Sequence, residues 1–206
     1  MGRRILLKLV SIGDEYTTEK MHIPFQLAKR MNLECINIGK KDVSNQTIWL
    51  NSLQYITQNS KNIFMLIGWT EADRFDIYWE DKYFTYRRNK NVYPIAKLSS
   101  MHVADDYIFN EKVIHGEWVA NIINLQETLK AYKIPFYMYN TQDAIRYNDD
   151  TANTARCIDL PTYHNPLNRD SSFIHFMKKR NYEIDDKAHH DWARFLHNKI
   201  LAAKLI

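Results

Sequence analysis

Leu6–Thr17 reads LLKLVSIGDEYT, and the joint inside it decides the fold. The apolar run has strand length and stops at Gly13-Asp14, a pair that turns the chain. We expect a first strand over Arg4–Ile12. Pro24, suited to an early helix position, opens a segment in which Phe25, Ala28 and Met31 recur at helical spacing, and ECINI at Glu34–Ile38 is a second short strand. Two strands joined by a helix form a βαβ unit, whose strands are parallel.

The alternation continues along the chain. Ser44, a good N-cap residue, precedes a helix with a stripe of Ile48, Trp49, Leu53 and Ile56. NIFMLIG at Asn62–Gly68 is the most apolar strand, which argues for a central place in the sheet. From Glu117, Trp118, Val119, Ile122, Ile123, Leu129 and Tyr132 mark another helix feeding the strand IPFYMYN at Ile134–Asn140. Asp185 or Asp186 caps a last helix carrying Trp192, Ala193, Leu196 and Ile200. Trp49, Trp118 and Trp192 are spaced as core residues and are assigned no ligand. This pattern predicts an α/β fold: a single flavodoxin-like domain over 1–206, three layers deep, with a central parallel sheet.

Two insertions interrupt that scaffold, at about 75–112 and 147–181. The first contains FDIYWEDKYFTYR at Phe75–Arg87, which alternates around an Asp-Lys turn as a hairpin does and leads into an irregular stretch reaching about Asn110. The second is broken by Pro161 and Pro166 before a short helical patch, FIHFMKK. Connections of this length in a compact domain usually serve as lids or interaction surfaces, and here they are read as a lid or a contact surface for a protein partner, with a plain surface loop as the alternative.

Composition narrows the function. A chain of 206 residues with 45% hydrophobic and 25% charged content is an ordinary globular protein with one sizeable core. No run approaches the roughly 20 apolar residues that span a bilayer, so no membrane role is expected. The net charge of +4 is spread along the chain, and its one dense cluster, YRRNKN, is typical of a solvated loop, which makes nucleic acid an unlikely partner. The two cysteines, Cys35 and Cys157, have neither metal-ligand nor disulfide-framework spacing.

In an open parallel sheet, ligands bind beyond the carboxyl ends of the strands. GDEYT, GKKDVSN, GWTEADR and NTQDA follow the four strands and would meet there. The order of GDEYT, LAKRMNLECINIGKKDVSNQTIW, GWTEADR, WVANIINLQETLKAYKIPFYMYN and KAHHDWARFLHNKI resembles the SGNH (GDSL) hydrolase family, and within it the members encoded by tailed bacteriophages. The resemblance implies hydrolase ancestry, an ester or carbohydrate-linked acyl substrate, and a protein found in the cytoplasm of the infected host cell or in the virion. In that family a Gly-Asp-Ser block supplies the nucleophile, the second and third blocks supply oxyanion donors, and a late Asp-x-x-His supplies the base.

Carried over residue by residue, Gly13 and Asp14 match, and Glu15 stands at the serine position. Asn37, Ser44 and Asn45 match the phage-type second block, while Asp42 replaces its oxyanion-hole glycine. Gly68, Trp69 and Thr70 fit the phage form of the third block. Asp186 and His189 read as Asp-x-x-His, although His189 also aligns with a structural histidine at the helix start.

Chemistry disfavours a simple esterase. Attack by a Glu15 carboxylate would leave an anhydride needing its own hydrolysis. Asp42 would repel a developing oxyanion, and losing one such donor alone costs about 10²- to 10³-fold in rate. Three readings of Glu15 stay open. It is an acid placed at a helix start in a fold reused for binding; or it joins Asp14 and Asp42, with Glu71 or His189, in an oxygen-rich site for a divalent cation; or Ser44 attacks, with His189 or another histidine as base. The candidate catalytic set is Asp14, Glu15, Ser44, Asn45, Thr70, Asp186 and His189, and the candidate ligand-binding set is Gly13, Asp42, Glu71 and Arg74. Arg74 could clamp an anion or pair with Glu71, Asp73 or Asp76.

Overall fold

The computed structural model describes residues 7–18, 22–71, 74–79, 82–87, 111–142, 157–164, 171–183 and 185–206. Its frame is a parallel sheet of β1 (Lys8–Ile12), β2 (Glu34–Asn37), β3 (Ile63–Trp69) and β6 (Phe136–Asn140) in the order β2-β1-β3-β6. Tyr163 adds a parallel bridge to Met138 on the far side of β6, so a fifth position is started from within the second stretch read as an insertion. β3 then lies in the middle, and all seven of its residues are buried, as its unbroken apolar run requires.

Side-chain alternation divides the sheet into two faces. Leu9, Phe64, Leu66, Tyr137 and Tyr139 point to one, where α1 (Ile23–Met31) and α5 (Asp186–Ala202) pack. Val10, Ile12, Met65, Ile67 and Met138 point to the other, covered by α2 (Asn45–Gln58) and α3 (Glu111–Ala131). Helices on both faces of a parallel sheet give the expected three layers. Between β5 and β6 in the chain only α3 is described, and α4 (Phe173–Lys179) precedes α5. β4 (Arg74–Trp79) and β5 (Lys82–Arg87) pair antiparallel as a separate hairpin. Residues 80–81 and 88–110, the latter expected to be irregular, lie outside the described residues.

Several element limits move from those read in the sequence. β1 is described from Lys8, and Arg4–Leu6 lie outside the described residues. α1 buries Ile23, Leu27 and Ala28, with Phe25 only half-buried, because its face must serve both the sheet and α5. α3 starts at Glu111, six residues before Glu117. The helix runs through Gly116 because Ile114 packs against the core and His115 is buried, and that burial outweighs the cost of about 1 kcal/mol for a helical glycine. Tyr132 falls just past this helix and is 47% exposed, outside the core stripe. Asp185 is the cap of α5: its carboxylate accepts from Ala188 N at 2.8 Å, and Asp186 sits inside the first turn.

Candidate functional site

The four strand ends are sewn together by hydrogen bonds at the carboxyl edge of the sheet. After β1 the chain turns into a short 3₁₀ segment, Glu15–Thr17, with Asp14 as its cap. Asp14 is fully buried; Oδ1 accepts from Tyr16 N at 3.1 Å and Oδ2 from Thr141 Oγ1 at 2.6 Å. Thr141 Oγ1 also lies 2.9 Å from Trp69 O, so one hydroxyl ties the ends of β1, β3 and β6. Thr17 Oγ1 donates to Asp14 O at 2.6 Å, and Asn37 Nδ2 at the end of β2 donates to Thr17 O. A Cβ on Gly13 would come within 2.6 Å of Thr17 Cγ2 and 2.8 Å of Gly68 O, so this position needs glycine for close approach. Burial, followed by the charge of Asp14, pushes the Tyr139 phenol well above its ordinary range, so it stays protonated beneath the edge.

The second and third blocks are gripped by one amide. Asn45, at the first turn of α2, accepts from Thr70 N at 2.9 Å and donates to Thr70 O at 3.3 Å and Glu71 O at 3.2 Å. Ser44 is fully buried and caps α2, its Oγ accepting from Thr47 N at 3.0 Å. Asp42 is exposed and has φ of 53°, the left-handed region that a glycine enters freely and an aspartate tolerates. Thr70 is fully buried, and among the described residues its hydroxyl has no hydrogen-bond partner. Arg74, 4% exposed, pairs with Glu71 through Nε and Oε2 at 3.4 Å, the pairing weighed above against an anion clamp.

His189 reaches the same edge from α5. It is buried, stacks on His22 at 4.4 Å between ring centroids, and lies 5.0 Å from the Phe173 ring and 6.4 Å from that of Tyr16. Since Tyr16 adjoins Glu15, the fold brings the Glu15 and His189 regions together. Asp186 is exposed one turn earlier. The Glu15 side chain lies outside what is described, and its backbone opens the 3₁₀ turn. Among the described residues no three His, Cys, Asp or Glu side chains gather to hold a metal ion: Asp14 is bonded inside and Asp42 faces out.

Sequence reasoning placed the NTQDA segment at this edge but did not single out Thr141, nor did it single out Thr17. Their signal was weak because Ser and Thr at strand ends usually serve only local turns. A small cavity of about 30 Å³ beside Asn45 and Arg74 was also missed; Trp118 and Asn121 of α3 help to line it.

The parallel three-layer fold has counterparts among solved structures. No protein-family model matches the chain, and no curated protein matches it in sequence. Among solved structures, it is similar to a carbohydrate esterase family 2 enzyme with its carbohydrate-binding domain from Corynascus thermopiles (Myceliophthora fergusii), at 10% identity and a TM-score of 0.52 over 96% of this chain and 66% of that one. It is also similar to TesA, at 8% identity and a TM-score of 0.50 over 97% and 99% of the two chains. A Desulfitobacterium hafniense DCB-2 protein assigned to the G-D-S-L lipolytic family is 14% identical, with a TM-score of 0.48 over 97% and 99%. At these identities the first two likenesses, with TM-scores of 0.50 and above, show the fold alone.

Proposed function

We propose that this chain is an SGNH-fold protein of hydrolase ancestry whose cleft has lost serine acyl transfer and acts by binding a small-molecule or carbohydrate ester. One observation carries this reading: the chain leaves β1 as Gly13-Asp14-Glu15, while Ser44, the candidate replacement nucleophile, is buried as the cap of α2. A fully buried oxygen that also accepts from Thr47 N is not presented to a ligand in the cleft. In the resemblance, Asp42 stands where the glycine that donates to the oxyanion is expected, so that donor is replaced by a carboxylate. The resemblance to phage-encoded members supports a protein made in the infected cell and kept there or in the virion, with the two insertions as its partner surface.

The test is hydrolysis of a panel of small acyl esters and acetylated sugars, with and without divalent metal, by the parent, Glu15→Ser and Glu15→Ala. The parent should be inert throughout and Glu15→Ser should gain slow turnover. Parent turnover that disappears in Glu15→Ala would refute the binding reading and make Glu15 a working group.

A further inference from the structure

The outer flank of α2 carries a groove that the sheet edge does not use. Asn51, Gln54, Tyr55 and Gln58 stand at i, i+3, i+4 and i+7, so they share one side of the helix, next to the Ile48 and Ile56 stripe that enters the core. Ile38 and Lys40, just past β2, complete the lining. Two backbone bonds, from Ile38 N to Ser11 O at 2.9 Å and from Lys40 N to Gly13 O at 3.1 Å, tie this lip to the end of β1, so the groove opens beside the sheet edge.

Its chemistry is that of a neutral site. Ile38 and the half-buried Tyr55 pack against the core and supply apolar surface, while three carboxamides and a phenol supply the polar groups. Among the described residues no hydrogen bond engages the side-chain amides of Asn51, Gln54 and Gln58, and the two glutamines are exposed. A carboxamide both donates and accepts, which suits hydroxyl groups, themselves donors and acceptors, better than a bare anion or cation. Burial raises the Tyr55 phenol above its ordinary range, so it stays protonated and able to donate. Lys40 brings the one charge in the lining, but it is exposed, and an ion in water contributes little to a contact. Lys8 and Glu34, near the phenol, offset each other at 3.0 Å. The groove has a volume of about 190 Å³. At about 10–15 Å³ for each water this is room for roughly a dozen waters or more, the bulk of a pyranose ring with its hydroxyls.

We infer that this groove is a subsite for a neutral, hydroxyl-rich sugar ring, which bonds the amides of Asn51, Gln54 and Gln58 and lays its C–H surface on Tyr55 and Ile38. The link to the sheet edge rests on the proposed function: the ester ligand is then a carbohydrate, with one ring in the groove and its acyl group at the edge.

The experiment records ¹H–¹⁵N NMR spectra of the full chain during titration with the methyl glycosides of glucose, galactose, mannose, xylose and N-acetylglucosamine, and separately with acetate and with inorganic phosphate. Asn51→Ala and Gln54→Ala assign the side-chain amide signals, and alanine's high helix propensity keeps α2 folded in both. We expect at least one glycoside to move the Asn51, Gln54 and Gln58 amide signals together and to saturate with an affinity on the order of millimolar. That affinity should fall about fivefold in either variant, as for the loss of one ordinary hydrogen bond. Neither anion should move these signals. The inference is overturned if no glycoside moves them, if acetate or phosphate moves them as far, or if either variant binds like the parent. Ester turnover by the parent would refute the proposed function and leave the groove's own binding intact, whereas an inert parent whose amide signals ignore every glycoside would remove the groove alone.

Discussion

Replacing Asn45 with alanine tests whether one amide holds the second and third blocks together. Asn45 is 4% exposed and makes three bonds: one accepted from Thr70 N at 2.9 Å, and two donated, at 3.3 Å to Thr70 O and 3.2 Å to Glu71 O. Alanine leaves the fully buried Thr70 with an unpaired N–H, at a cost of about 1–3 kcal/mol, and the two longer bonds add about 0.5–1 kcal/mol each. Alanine's better helix propensity in α2 returns a few tenths, so the net loss should be about 2–4 kcal/mol. Urea unfolding followed by circular dichroism reads this directly. With an m-value of about 2–3 kcal/mol/M, the midpoint should fall by about 1 M at unchanged m. Asn45→Asp keeps the acceptor for Thr70 N but aims a carboxylate at two carbonyl oxygens, so it should be no better than alanine. The exposed Gln58→Ala on the same helix should stay within about 0.5 kcal/mol of the parent. A loss below about 0.5 kcal/mol for Asn45→Ala would show that the clamp does not hold the site.

Two glycines should respond oppositely to alanine. Gly13→Ala forces a Cβ to 2.8 Å from the Gly68 carbonyl and should cost about 1–3 kcal/mol, whereas among the described residues a Cβ at Gly116 in α3 meets nothing within 4 Å and should gain about 0.5–1 kcal/mol; thermal unfolding of both variants checks the pair. For His164, burial first and Lys199 second lower the pKa from 6.5 to about 4, so between these values the unfolded chain binds the proton and the native one does not. Stability should therefore fall as pH drops from about 7.5 to about 5, with His164 contributing about 2 kcal/mol (1.5 units below 6.5, at 1.36 per unit), and His164→Gln should flatten the urea-midpoint profile over that window; an unchanged slope would reject the assignment.

The scaffold was legible because its information is local. Apolar runs such as Phe64–Ile67, the Ser44 cap and the stripe through Ile48 and Ile56 are each written within about one helix or strand length, where period and capping chemistry act. Parallel pairing followed from strands separated by helices, and the carboxyl edge followed from parallel pairing. Where local signals conflicted with packing, packing prevailed: α3 runs through Gly116, and the buried face of α1 is set by α5 as well as by the sheet.

The sequence by itself determined the α/β class, the order of strands and helices, and which four segments gather at one edge. Only the tertiary structure decided what those segments do to one another. Thr141 bonds Asp14 across 127 positions, Asn45 reaches Thr70 across 25, and His189 stacks on His22 from the other end of the chain. Such pairings depend on strand order and on the exact turn after each strand, and residues so far apart leave no periodic trace in the sequence.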